Sequence, residues 1–86
     1  SPLMDRNYPY VYTRNRIKTH DDERKAIERA GIREWDILRG ILSKYVLGGR
    51  TKSVLWSQGL QENIFYLVLK QMRQIVEYWD KSRGNE

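Results

Sequence analysis

Residues 23–42, Glu-Arg-Lys-Ala-Ile-Glu-Arg-Ala-Gly-Ile-Arg-Glu-Trp-Asp-Ile-Leu-Arg-Gly-Ile-Leu, decide the fold of this 86-residue chain. Gly31 divides the stretch. Before it, Ala26, Ile27 and Ala30 fall three and four residues apart. After it, Trp35, Leu38, Ile41, Leu42 and Tyr45 do the same, and Ile37 widens the stripe. That period places apolar side chains on one helical face. The spacing predicts two helices, over residues 19–30 and 33–46, meeting at Gly31.

Local chemistry sets the ends of the first helix. Thr19 and Asp22 stand as a capping box, hydroxyl and carboxylate each accepting a backbone N–H that the helix leaves open. Asp21, Asp22 and Glu23 lie in the first turn and Arg29 in the last, the signs that the helix dipole favours. Gly31 suits a terminal position with positive φ. The apolar face is thin, so this helix must lean on a neighbour. Further out, residues 1–18 form an arm rich in Tyr, Arg and Asn. Tyr8, Tyr10 and Tyr12 alternate with Pro9 and Val11. The arm reads as an extended leader or a short strand.

Toward the C-terminus, Gly40 costs about 1 kcal/mol inside a helix unless a neighbour approaches closely there. Gly48-Gly49 ends the second helix, and residues 48–57 connect to the next. Val54-Leu55-Trp56 reads as a short strand or as the opening turn of that helix. A long third helix is predicted over residues 58–81. Phe65, Val68, Met72, Ile75 and Trp79 recur at three, four, three and four, a heptad seam. Leu60, Ile64 and Leu67 cover a second face over its first half. At 1.5 Å per residue this helix is about 35 Å long, more than two shorter partners can cover. The seam therefore predicts a homodimer. The chain divides into a basic arm (1–18), one helical domain (19–82) and a polar tail (83–86), and the fold class is mainly α.

Composition narrows the chemistry. A domain this small buries only about 60–65% of the surface its unfolded chain exposes. With no cysteine, disulfides and thiolate zinc sites are excluded. There is one histidine. His20 beside Asp21 and Asp22 sits at a helix start, where capping already accounts for the carboxylates. No enzyme site, metal or other cofactor, or small-molecule ligand is read from these residues. No run approaches the ~18 apolar residues of a membrane span, and the chain is expected to act inside the cell, in the cytoplasm, nucleoid or nucleus.

The net charge is +5. Residues 1–20 carry +3 through Arg6, Arg14, Arg16 and Lys18 against Asp5, and residues 41–60 carry +3 through Lys44, Arg50 and Lys52. An uneven basic surplus points to a polyanion.

Within residues 23–42, Ile27, Gly31, Ile32 and Ile37 occupy the apolar, glycine, apolar and β-branched positions of a paired-helix turn. The stretch resembles the helix-turn-helix of DNA-binding domains. The resemblance implies a second helix that enters the major groove, with Arg33 and Arg39 as base or phosphate contacts. Arg14, Arg16 and Lys18 would then neutralise phosphates, Arg50 and Lys52 would clamp from the side like a wing, and Lys44 would add to the basic surface. The expected partner is DNA, or RNA. The expected role is a small transcriptional regulator or an architectural factor. A ribbon-helix-helix arrangement is the alternative, with residues 10–16 as a strand pairing with its twin. The rival from another class is a protein-interaction or assembly module, such as a viral or complex subunit, that uses the apolar third helix.

Overall fold

The computed structural model describes residues 4–84, and the chain over that span is helical with no strand. Five helices follow in order: α1 (Tyr8–Arg14), α2 (His20–Arg29), α3 (Trp35–Thr51), α4 (Ser53–Gln61) and α5 (Ile64–Gly84). A single 3₁₀ turn, Ile32–Glu34, leads into α3. Residues 1–3 of the predicted arm and residues 85–86 of the predicted tail lie outside the described span. Backbone helix continues through Gly84, so the tail begins inside α5.

The predicted strand is a helix instead. Pro9 lies in the first turn of α1, where its missing N–H costs nothing. Val11 is buried, Tyr8 and Tyr12 are half-buried, and Tyr10 is exposed. Positions 8, 11 and 12 make a helical stripe, so Val11 rather than the tyrosine alternation marks the inward face. Arg16 ends α1 with φ 55°. The Ile17 N–H bonds the Tyr12 carbonyl at 3.0 Å and the Arg16 N–H bonds the Thr13 carbonyl at 3.3 Å, the two bonds of a Schellman cap. The cap turns the chain into α2, so the arm belongs to the domain.

At α2 the capping box forms as expected. The Asp22 N–H donates to Thr19 Oγ1 at 3.0 Å, and the Thr19 N–H donates to Asp22 Oδ2 at 3.1 Å. Gly31 departs from expectation. Its φ is −105°, an extended conformation, and its N–H donates to Glu34 Oε1 at 3.1 Å.

The chain's double glycine does not end α3, which continues to Thr51. Contact explains these residues better than flexibility. A Cβ on Gly40 would lie 2.7 Å from Val11 Cγ1, one on Gly48 2.8 Å from Leu55 Cδ1, and one on Gly49 3.1 Å from Trp56 Cβ. Their bare backbone lets α1 and α4 lie directly on α3. Lys52 alone separates α3 from α4. Val54-Leu55-Trp56 opens α4, and the predicted 58–81 helix is broken at Glu62 and Asn63.

Asn63 makes that break with φ 60°. Asparagine tolerates this left-handed conformation better than other side chains that carry a Cβ. Replacing Asn63 with alanine is expected to cost about 1 kcal/mol, and replacing it with glycine should cost nothing or stabilise slightly. Urea midpoints of the two variants check this, and equal midpoints would contradict it.

α3 is the central element. Leu38, Ile41, Leu42 and Tyr45 are buried with Ile17, Ile27 and Ala30, and with Ile64, Val68, Met72 and Ile75 of α5. Val68, Met72 and Ile75 of the predicted dimer seam are therefore consumed by the chain's own core. Phe65 is half-buried, and Trp79 leaves 46% of its surface in water.

Candidate functional site: a sealed carboxylate and an open apolar face

The most concentrated polar chemistry surrounds Glu23. It sits on α2 four residues before Ile27 and seven before Ala30, on the inward face, and is 1% exposed. Tyr12 of α1 donates its hydroxyl to Glu23 Oε2 at 2.5 Å. The Tyr45 hydroxyl of α3 lies 2.7 Å from both carboxylate oxygens. His20 Nδ1 lies 2.8 Å from Oε1, and Lys44 Nζ lies 3.6 Å from Oε2. Lys44 also stands 4.7 Å from the centre of the Tyr12 ring.

Burial pushes the Glu23 carboxyl up. Hydrogen bonds from Tyr12, Tyr45 and His20, with the charge of Lys44, outweigh it and hold the group below its ordinary value of 4.5. The Tyr12 and Tyr45 hydroxyls are held above 10.0, first by burial and then by Glu23 beside them. Tyr12, Tyr45 and His20 bond the carboxylate, Lys44 stands 3.6 Å away, and the residue is 1% exposed. No room is left for a substrate, so Glu23 ties three helices together.

The linkage has a definite sign. Glu23 contributes stability that is complete above 4.5 and is lost as pH falls through its lower folded value. Tyr12 and Tyr45 contribute stability that is complete below 10.0 and is lost above it. Thermal midpoints across pH 3–11 should therefore show a plateau with a fall at each end. Glu23→Gln should flatten the acid limb, and Tyr12→Phe with Tyr45→Phe the alkaline one. An acid limb of unchanged depth in Glu23→Gln would contradict the assignment.

The predicted nucleic-acid contacts separate into two groups. Arg39 is half-buried, and its guanidinium donates to the Met4 carbonyl at 3.3 Å. Lys44 is engaged by Glu23. Both are thus engaged by groups of the chain itself. Arg14, Arg16, Lys18, Arg33, Arg50 and Lys52 are exposed, and none forms an ion pair among the described residues. They stand at the α1–α2 corner, in the 3₁₀ turn and at the α3–α4 corner. The helix pair flanking Gly31 exists, but α3 is enclosed by α1, α4 and α5.

The second feature is apolar. Val54, Trp56, Leu60, Tyr66, Leu69, Val76, Tyr78 and Trp79 each leave between 46% and 68% of their surface in water. All eight lie on α4 and α5. On α5, Leu69 and Val76 are seven residues apart and form a column beside the buried one. Phe65, Leu69, Met72, Val76 and Trp79 recur at four, three, four and three, with Met72 turned into the core. That second seam overlaps the predicted one, and the periodicity alone could have revealed it. Trp56 packs on Phe65 with ring centres 4.9 Å apart, joining α4 to the same face. Beyond the core, Ile75, Tyr78 and Trp79 border an open groove of about 280 Å³ against Gly31 and Ile32. No described helix is long and apolar enough to cross a membrane.

Comparisons with protein-family models, with curated proteins and with solved structures find no match to this chain.

Proposed function

We propose that this chain is a protein-interaction or assembly module whose working surface is the apolar face of α4 and α5. The observation that carries this reading is the placement of eight half-exposed large apolar side chains on those two helices. Single exposed apolar residues are ordinary on proteins. Leu69 and Val76 on one column of α5, with Trp56 of α4 stacked on Phe65 beside them, form a patch of the kind that marks a contact surface. The remaining helices support it: apart from Tyr10, the large apolar side chains of α1, α2 and α3 are buried or half-buried, and α2 and α3 pack on α5.

The reading is tested by dye titration and a mass measurement together. The face is expected to be either covered by a partner chain or open to bis-ANS, with Val76→Glu reducing the dye signal. A monomeric chain that binds no dye would overturn it.

A second reading is supported by charge. Asp22 is used as a cap, Glu23 is buried, Glu34 bonds Gly31, and Glu62 and Glu77 pair with Arg24 and Arg73. The corner cations Arg14, Arg16, Lys18, Arg50 and Lys52, with Arg33, keep their charge for a polyanion such as duplex DNA. Binding would run through phosphates at these corners rather than through α3. With ~4–6 phosphate contacts, affinity should fall steeply on a log–log plot against salt. Absence of binding at 50 mM salt would remove this reading.

A further inference from the structure

We propose that α4 is a membrane-surface anchor: it lies in the headgroup region of an anionic bilayer and inserts Val54, Trp56 and Leu60, while Arg50 and Lys52 meet lipid phosphates. The proposal goes beyond the protein-contact reading, which is centred on Leu69 and Val76 of α5, and gives α4 an occupant of its own.

The first observation is the helix itself. From Ser53 to Gln61, α4 carries no charged residue. It packs on α3 and α5. Leu55 and Gly59, four residues apart, form its inward side. A Cβ on Gly48 of α3 would lie 2.8 Å from Leu55 Cδ1, and one on Gly59 would lie 2.6 Å from Phe65 Cε2 of α5. The opposite side is made by Ser53, Trp56, Ser57 and Leu60, at the i, i+3, i+4 and i+7 positions of one helical face. Val54 stands beside Ser57, three residues before it. All five are exposed. The outward side is therefore an indole, two aliphatic chains and two hydroxyls, with no charge among them. That set suits the bilayer interface, where an indole sits at headgroup depth and aliphatic chains reach the acyl boundary. The Trp56 ring is steadied for this by Phe65, 4.9 Å away between ring centres. At 1.5 Å per residue α4 is about 13 Å long, so it rests in the surface and does not cross it.

The second observation is charge. Residues 37–76 contain a single acid, Glu62, and Arg24 holds it at 3.2 Å. The other acids of the chain lie before residue 37 or after residue 76. Arg50 and Lys52 stand exposed just before α4 and form no ion pair among the described residues. The approach to α4 thus offers cations and no free acid, the complement of an anionic lipid surface. Long Arg and Lys side chains can follow the phosphates while their stems cover apolar surface. Neither signal anchors a protein alone, but a short apolar insertion and a basic pair act together. A phosphate backbone of nucleic acid would use Arg50 and Lys52 and leave Val54 and Leu60 without a partner.

Flotation of the full chain with phosphatidylcholine vesicles, pure or with about one-third phosphatidylserine, tests the proposal. The expected result is capture by the mixed vesicles and much weaker capture by the pure ones. Val54→Ser with Leu60→Ser should abolish capture, and far-UV circular dichroism should show the fold intact, since both side chains are exposed. Arg50→Gln with Lys52→Gln should weaken it about thirtyfold, at about fivefold for each cation. Arg14→Gln with Lys18→Gln, at the other basic corner, should change it less than about twofold. A chain that no vesicle captures overturns the proposal. So does capture that ignores Val54 and Leu60 or depends equally on both corners, because charge alone then accounts for it. Binding to duplex DNA at 50 mM salt without capture by vesicles overturns it in favour of the charge reading. The α5 reading is scored separately. A chain that no vesicle captures but that binds bis-ANS in a Val76-dependent way loses the anchor and keeps the α5 surface.

Discussion

Replacing Glu23 with alanine is expected to destabilise the domain by about 3–5 kcal/mol. A domain of this size has a total stability of about 4–13 kcal/mol at ~0.05–0.15 kcal/mol per residue. The variant should therefore be partly or wholly unfolded at 37 °C. The cost arises from what is left behind. The Tyr45 hydroxyl is buried and the Tyr12 hydroxyl sits under α2, and both would lose their acceptor. A buried hydroxyl without a partner costs about 1–3 kcal/mol. Lys44, half-buried beside the same carboxylate, would lose its counter-charge. Glu23→Gln keeps the volume and one acceptor oxygen, so it should cost less, about 1–3 kcal/mol. Urea unfolding measures both. A loss below 1 kcal/mol for the alanine variant would show that the network does not hold α1, α2 and α3 together.

The second large effect concerns the seat of α1. Gly40→Ala would ordinarily stabilise a helix by about 1 kcal/mol. Here the new methyl would lie 2.7 Å from Val11 Cγ1 and 2.8 Å from Val11 Cβ. Val11 is buried and β-branched, so it cannot rotate out of the way. The helix must shift, and overpacking of this kind costs about 1–3 kcal/mol. Val11→Ala alone should also destabilise, by removing buried methyl groups. Combined, the two substitutions should recover only part of the loss, because Val11→Ala removes Cγ1 and Cγ2 but leaves Cβ 2.8 Å from the new methyl; the coupling should still be favourable. Trypsin offers an independent readout. The Gly40→Ala variant should be cleaved faster after Arg14, Arg16 and Lys18, because α1 is the element displaced. Strict additivity in the cycle, or unchanged cleavage, would contradict the contact.

The two predictions concern residues whose roles differ in how far the sequence reveals them. Glu23 reads as a first-turn acid, and that electrostatic account is correct as far as it goes. Its position four residues before Ile27 and seven before Ala30 already puts it on the inward face. What the sequence lacks is the pair of tyrosines, eleven residues upstream and twenty-two downstream, that make burial of a charge tolerable. Gly40 reads as either a weak point in a helix or a close approach. Only the position of Val11 decides between them. The same holds at Gly48 and Gly49, where the usual meaning of a double glycine is overridden by α4 lying against it.

The candidate surfaces were unevenly legible. The basic surplus at the arm and near Arg50 and Lys52 is visible in composition, and those side chains do stand outward. Arg39 and Lys44 look the same in sequence but are held internally, because a cation's availability depends on acceptors brought to it from elsewhere in the chain. On α5 the heptad spacing is plain, yet two overlapping seams share Phe65, Met72 and Trp79. Periodicity cannot rank them, since the choice depends on which side α2 and α3 approach.

By itself, the sequence determined the helical class, the capped start of α2, the division at Gly31 and the amphipathic character of α3 and α5. These rest on interactions within about one helical turn, where hydrogen-bond caps, charge near helix ends and apolar spacing act without distant help. Tertiary structure alone decided that residues 8–14 coil into a helix, that Asn63 separates α4 from α5, that Glu23 is buried and that Leu69 and Val76 remain in water. Each depends on which surfaces are withdrawn from solvent together, and that is set by contacts between residues far apart in the chain.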